Sequence, residues 1–451
     1  MTPAQLRALD RELSAYLKTM VDGMGRPERR RAMELYLTGL LLDGARKSTQ
    51  PMAMRLTEKP EDAEAVRQRL QQCVAISAWS EAELFGRLAL KMEAELPDVE
   101  AQVVDDTGFA KKGTHSVAVA RQYSGTLGRV DNCQVAVSLH LAGERGSGCI
   151  AMRLYLPEEE WANDSKRRES VGVPVEIEFQ TKWQIALAQL DAAKATGVKK
   201  HIVLADAGYG DITDFRDGLS ARGLEYVVGI NGSPVVWPPG SNPRIPPPKR
   251  THRGPPPKRY RDDAHPPLAI AELARTLCYR KVSWREGTKG RQSSRFAAVR
   301  VRTAHHHLQG EPPGEEQWLL CEWPEGESAP TKHWLSTQSK DTSLRELVRV
   351  AKLRWRIERD YQDLKEEVGL DHFEGRTWRG FHHHAALCAA AHGFLALRRA
   401  LSPPIPNEVD TSAGTPLSAV APRAAYRALP VVPEHRWRSG TAARTVANVI
   451  R

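Results

Sequence analysis

Apolar residues recur at three- and four-residue spacing in segments near 4–21, 27–45, 61–75 and 79–96. That is the period of helices burying one stripe, so residues 1–98 are expected to form a separate helical domain. From about residue 100 the pattern becomes strand-like. AQVVDD, HSVAVARQY, NCQVAVSLHLA and CIAMRLYLP follow one another between Gly-rich turns. A helical stretch, EFQTKWQIALAQLDAAKA, leads to the strand HIVLAD, a short helix around FRDGLSARG and the strand EYVVGI. Antiparallel strands followed by alternating helix and strand predict an α/β fold, a mixed sheet covered by helices.

Beyond residue 231 the chain changes character. Residues 237–267 are crowded with Pro and basic residues; Pro removes donors and fixes the backbone extended, so an exposed, basic, poorly ordered loop is expected. SRFAAVRVRTA, EQWLLCEW and TKHWLST then read as strands, which makes 232–338 a β-rich insertion. Helical periodicity returns over 343–369 and again over 381–401, so 339–401 is expected to be a helical segment that follows the insertion. Residues 402–451 carry Pro, Ala and Arg without periodicity and are expected to be a disordered tail.

Composition narrows the functional classes. The 65 Lys and Arg against 55 Asp and Glu leave a net charge of +10, a surplus that favours polyanions, nucleic acid first. The run RPERRR at 26–31 reads either as a phosphate contact or as a solvated helix start. The six cysteines, at 73, 133, 149, 278, 321 and 388, have no metal-ligand spacing and read as reduced core residues. No window has the apolar length of a membrane span, and the first residues lack the apolar stretch of a signal peptide, so a cytoplasmic protein is expected.

Three carboxylates stand out. Asp105 follows the apolar run QVV and Asp206 closes HIVLA, so both are expected at strand ends, where the crevice of an α/β sheet binds ligands. Asp106 is a second choice for the first position. The third acid, Glu358, is expected on a long helix, where four- and seven-residue spacings put Arg354 and Lys365 on its face. Carboxylate oxygens are the hard ligands Mg²⁺ prefers, and two ions about 3.5–4 Å apart can hold both oxygens of an in-line phosphoryl displacement. Arg354 and Lys365 beside the acid are placed to hold flanking phosphates.

On VDDTGFAKKG, RQYSGTLGRVDNCQ, LADAGYG and LRWRIERDYQDLK the sequence resembles the DDE superfamily of bacterial insertion-sequence transposases, in the branch with a β insertion before the third acid. The likeness spans roughly 100–395. Its signature is Tyr, two residues, Arg, three residues, Glu, six residues, Lys; Arg354, Glu358 and Lys365 fit it, while Ala351 stands at the Tyr position. The first-acid pattern, Asp, any residue, Thr, selects Asp105 with Thr107 over Asp106. The resemblance implies an RNase H-like catalytic core, metal-dependent cleavage of element ends, strand transfer to double-stranded DNA, two Mg²⁺ ions (Mn²⁺ substituting) and a homodimer or higher multimer. It assigns the N-terminal helices to recognition of those ends. A nuclease without strand transfer and a DNA-binding protein derived from a transposase are the alternatives.

The resemblance also implies an aromatic residue that stacks on a flipped base, for which Trp284, Trp318, Trp323 and Trp334 compete. Trp284, in the polar stretch SWREGTKGR, is the first choice. Lys111, Lys112 and the span from Arg121 to Arg129 read either as the DNA path or as a solvated hairpin. Consecutive histidines at 305–307 and 382–384 point different ways on a strand or helix, unlike ligand pairs, and read as exposed or DNA-facing.

Overall fold

The computed structural model of the chain describes residues 2–247, 257–287 and 290–401. The centre of the Pro-rich loop and the 402–451 tail lie outside these residues. Two compact units divide the described residues, one of residues up to 87 with 363–375 and 379–401, the other drawn from residues 88–362 with 376–378.

The N-terminal region is helical as expected: α1 (Pro3–Val21), α2 (Pro27–Leu41), α3 (Thr49–Leu56), α4 (Ala63–Ala75) and α5 (Glu81–Glu95). Helix α1 starts at a capping box in which Thr2 and Gln5 satisfy each other's backbone N–H groups. Its buried stripe, Leu9, Leu13, Tyr16, Leu17 and Met20, has the three- and four-residue spacing read from the sequence.

The second unit is built on one sheet of twelve strands. Strands β1 (Val99–Ala110), β2 (Ala120–Ser124), β3 (Arg129–Gly143) and β4 (Gly146–Leu154) form antiparallel pairs, β2 and β4 both on β3. After α6 (Ser165–Ser170) and α7 (Lys182–Thr196) come β5 (Ile202–Ala205), α8 (Ala207–Gly210), α9 (Thr213–Ala221) and β6 (Tyr226–Ile230); β1, β5 and β6 run parallel. This is the mixed α/β sheet flanked by helices that the pattern predicted, and it is consistent with an RNase H-like core.

The segment expected as a β-rich insertion contains β7 (Val235–Trp237), β8 (Leu268–Ala269), α10 (Ile270–Arg275), β9 (Arg280–Gly287), β10 (Gly290–Thr303), β11 (Glu316–Trp323) and β12 (Lys332–Ser336). Its strands continue the same sheet, because β12 pairs with β6 from His333↔Ile230 to Ser336↔Val227. Four main-chain pairings make one surface where the sequence suggests an added block.

The helix expected over 343–369 is two helices, α11 (Leu344–Leu353) and α12 (Trp355–Glu366), broken at Arg354. No Gly or Pro marks this break. It coincides with a tertiary contact that no local rule foresees, since Arg354 bonds to β1.

Alternation along β1 sorts its side chains between two covering layers. Ala101 and Val103 pack with Leu347, Val350, Leu353 and Ile357 of α11 and α12. The opposite face meets α7, whose Gln189 donates to Val137 O on β3 and whose first residue, Lys182, pairs with Asp106.

The last helix, α13 (Trp378–Leu401), corrects the reading of His382, His383 and His384 as exposed or DNA-facing. All three are buried, in a helix apolar on nearly every side. His383 stacks on Trp79 at 3.8 Å, with its two ring nitrogens each 3.0 Å from a carbonyl, those of Val74 and Trp79, to one of which a neutral ring donates; His384 bonds to Tyr36 Oη and Gly369 O. Burial pushes the His383 pKa down to about 4, so it is a neutral packing residue. Among the described residues no helix is long and apolar enough to cross a membrane.

Candidate active site

Asp105 is not at a strand end as expected; β1 continues to Ala110. It is the neighbouring strand that stops. The parallel register runs from Ala101↔Ile202 to Val103↔Leu204, and two further steps bring Asp105 level with Asp206, the residue just after β5. The crevice at the carboxyl end of β5 is therefore walled by Asp105 on one side and opened by Asp206 on the other.

Asp206 caps α8, its Oδ1 accepting from Tyr209 N at 3.3 Å. Such a cap is sufficient reason for an Asp here, yet its second oxygen is not used by that bond.

Asp105 and Asp106 point to opposite faces. Asp105 shares the face of Ala101 and Val103, and its Oδ2 accepts from Arg354 Nη1 at 2.7 Å. Asp106 lies on the α7 face, where Lys182 Nζ donates to its Oδ2 at 2.8 Å. Glu358 occupies the first turn of α12, largely exposed, 3.4 Å from Arg354 Nη2. Arg354 is thus the hub. Burial opposes its charge, but Asp105, Asp206 and Glu358 outweigh that and raise its pKa. Burial pushes the Asp105 carboxyl up to about 6, against the lowering pull of Arg354, with Asp206 adding to the rise.

The donor set suits a hard cation: every candidate ligand atom is a carboxylate oxygen, and a guanidinium cation already stands among the three acids. Among the described residues no group of three or more acidic, His or Cys side chains is close enough to hold a metal as it stands. Glu358, with its side chain 69% exposed, is the acid with most freedom to move.

Lys365 stands on α12, seven residues after Glu358, where burial lowers its pKa and Asp371 pulls it back up. Lys111 and Lys112 follow β1, Lys111 bonded through its backbone to Asn132. Arg121 and Arg129 are exposed on the β2–β3 hairpin, Arg129 paired with Asp131. Trp284 is not a free aromatic face: Lys352 Nζ sits 4.7 Å from its ring centroid and Phe296 meets it edge-on at 5.6 Å. His305, His306 and His307 line a cavity of about 410 Å³ with Asp211, Thr213 and Arg216.

One residue missed in the sequence reading is Tyr209, inside the second-acid motif itself. It is buried, its pKa is driven up by burial and then by Asp106, Asp105 and Asp206, and its hydroxyl finds no hydrogen-bond partner among the described residues. An unpaired buried hydroxyl costs about 1–3 kcal/mol. Tyr209→Phe is therefore expected to raise the stability of the metal-free protein by about 1 kcal/mol in urea unfolding. A loss of stability would mean that the hydroxyl has a partner after all.

A family model described as DDE superfamily endonuclease matches residues 19–291, which takes in Asp105 and Asp206 and ends before Glu358. The probable transposase for insertion sequence element IS701 of Microchaete diplosiphon is 31% identical over 129 residues, 28% of this chain. The match spans 31% of that relative's own length.

Proposed function

This chain belongs to the DDE superfamily of endonucleases, and we propose from that premise that it is an insertion-sequence transposase. In this reading it cleaves the ends of its element and joins the freed 3′-hydroxyl to target DNA. The observation that carries the reading is the gathering of Asp105, Asp206 and Glu358 around one cationic centre at the carboxyl edge of β5.

Enzymes of this family use divalent metals. Two Mg²⁺ ions, or Mn²⁺ in their place, held by Asp105, Asp206 and Glu358 would supply Lewis acidity to both oxygens of an in-line displacement. The chain's own groups do the rest. Asp105 and Asp206 come from adjacent positions of a rigid sheet and fix one side of the site, while Glu358 closes it from α12. Arg354 neutralises the acids in the metal-free protein, and its planar fork suits a DNA phosphate equally well. Lys182 keeps Asp106 turned away, on the α7 face.

Lys111, Lys112 and Lys365 are proposed as contacts to the phosphate backbone, which give position but no sequence reading. The helical domain of residues 1–98 is proposed to bind the element ends, and two copies of the chain to bring two ends together. The net charge of +10 favours this partner.

Purified full-length protein, given labelled DNA from either side of its reading frame and Mg²⁺, should nick at the element ends and join them to a second duplex. Chelation should stop both steps. An Asp206→Ala protein should still bind DNA and lose cleavage; full activity in that variant sinks the proposal. Nicking without joining, even from a precleaved end, would instead favour a nuclease of the same fold.

A further inference from the structure

Glu358 does not hold itself in place. Its side chain is 69% exposed and touches Arg354 only at 3.4 Å, and α12 does not inherit its direction from α11, because the chain breaks between them. What seats α12 is its other side, and there a chain of buried polar groups reaches the sheet. Asp360 Oδ2 accepts from His140 Nδ1 at 2.7 Å, and Asp360 Oδ1 accepts from Ser147 Oγ at 2.6 Å. His140 Nε2 lies 3.0 Å from Ser138 Oγ, which lies 2.7 Å from Tyr361 Oη. Ser138, His140, Ser147 and Asp360 are each 5% exposed or less.

The topology gives this chain its meaning. Ser138 is the cross-strand partner of Asp105 in the β1–β3 register, and directly opposed residues share a face. His140, two residues on, shares that face too, opposite Cys149 of β4. Asp360 and Tyr361 follow Glu358 by two and three residues on α12. The hydrogen bonds therefore join the segment carrying the third acid to the strand position beside the first.

We propose that Ser138, His140, Ser147, Asp360 and Tyr361 are positioning residues that fix α12 against β3 and β4 and so set where Glu358 stands relative to Asp105. The role rests on the transposase reading above. Apolar contacts alone, such as the fully buried Ile357, leave a helix free to slide or turn by small amounts. Directional bonds to both oxygens of Asp360 do not. His140 bridges the two partners, its Nδ1 against Asp360 and its Nε2 against Ser138, and all three groups lie out of solvent. A buried ion pair is weak evidence for stability, because apolar residues of similar volume serve as well or better. Geometry is what it supplies that they cannot.

The test separates the two roles in full-length protein. His140→Leu with Asp360→Leu removes the ion pair without leaving a lone buried charge, and Asp360→Asn keeps an acceptor for His140. Thermal unfolding, DNA binding, Mn²⁺ binding followed by electron paramagnetic resonance, and cleavage kinetics are measured for each. The double variant should fold and bind DNA as wild type does. It should bind Mn²⁺ about 10-fold more weakly and cleave about 100-fold more slowly, through kcat rather than KM, the range for a lost outer-shell support. Asp360→Asn should recover much of both. A folded double variant with wild-type Mn²⁺ affinity and rate overturns the proposal. If the double variant fails to fold, Tyr361→Phe and Ser138→Ala carry the test, and unchanged Mn²⁺ affinity in both overturns it. A wild-type protein that neither binds Mn²⁺ nor cuts DNA removes the transposase reading, and the positioning role falls with it. Active wild type with equally active variants removes the positioning role alone.

Discussion

Replacing Asp105 with Asn is expected to abolish DNA cleavage while making the metal-free protein more stable at neutral pH. On its proposed role as a metal ligand, loss of the Asp105 carboxylate removes several kcal/mol of transition-state stabilisation, a fall of about a thousandfold or more in rate. The gain in stability follows from the raised pKa of the group. Below the ordinary carboxyl value of 3.8 Asp105 is neutral folded or unfolded, and its charge costs nothing. As pH climbs from there to about 6 the unfolded chain ionises while the folded one keeps its proton, so stability drains away. Above about 6 the cost is complete, on the order of 3 kcal/mol. Asn carries no charge and escapes it. The stability difference between variant and wild type should therefore be small near pH 4 and level off above about pH 6, read from urea unfolding at a series of pH values.

Asp106→Asn is the contrast. Its carboxylate faces α7 and Lys182, so its loss should cost a little stability and leave most of the cleavage rate. If Asp106→Asn is dead and Asp105→Asn active, the first acid has been assigned to the wrong neighbour. The two residues differ by one step on a strand, which is a full reversal of direction.

That one-step reversal shows what the sequence could and could not reveal. The strand-like run AQVVDD told which residues alternate, but not which face would meet α11 and α12 and which α7. The choice of Asp105 came from the Asp, any residue, Thr pattern, while its physical basis, the shared face with Ala101 and Val103, needed the packed helices. Asp206 was legible because HIVLA is short, apolar and followed by AGYG, a strand ending in a cap. The placement of Glu358 on a helix beside Arg354 was legible by spacing, but the kink at Arg354 was not, because a long-range ion pair leaves no mark in local propensity.

Histidines 382–384 misled for a related reason. A run of three imidazoles looks polar, yet all three are buried, and His383 and His384 meet hydrogen-bonding partners hundreds of residues away, Val74, Trp79 and Tyr36. The continuity of the insertion with the core sheet was hidden in the same way, since the β6–β12 pairing joins residues about a hundred positions apart.

The largest loss of stability expected from a single substitution comes from Lys352→Ala. Lys352 Nζ bonds to Glu322 Oε2 at 2.6 Å, inside a box made by Trp284, Trp334 and Phe296, whose ring centroids lie 4.7, 5.2 and 5.4 Å from it. Glu322 is only 4% exposed. Removing the lysine strands that carboxylate without a counter-charge, at a cost of about 3–5 kcal/mol, and the three rings lose a cation they share. Burial already pushes the Lys352 pKa down, with Glu322 pulling it back, so the pair survives only as a pair. Lys352→Met combined with Glu322→Gln should accordingly recover most of the loss, a non-additivity measurable by urea unfolding of the two single variants and the double. Recovery that fails to appear would mean that the cation, rather than the unpaired acid, dominates. Trp284 was the first choice for base stacking because its neighbours in SWREG are polar, yet Val282 and Trp284 of β9 both pack against the core beneath α11. Trp284→Ala should thus lower stability in the absence of any DNA, because the ring's work is to cover Lys352.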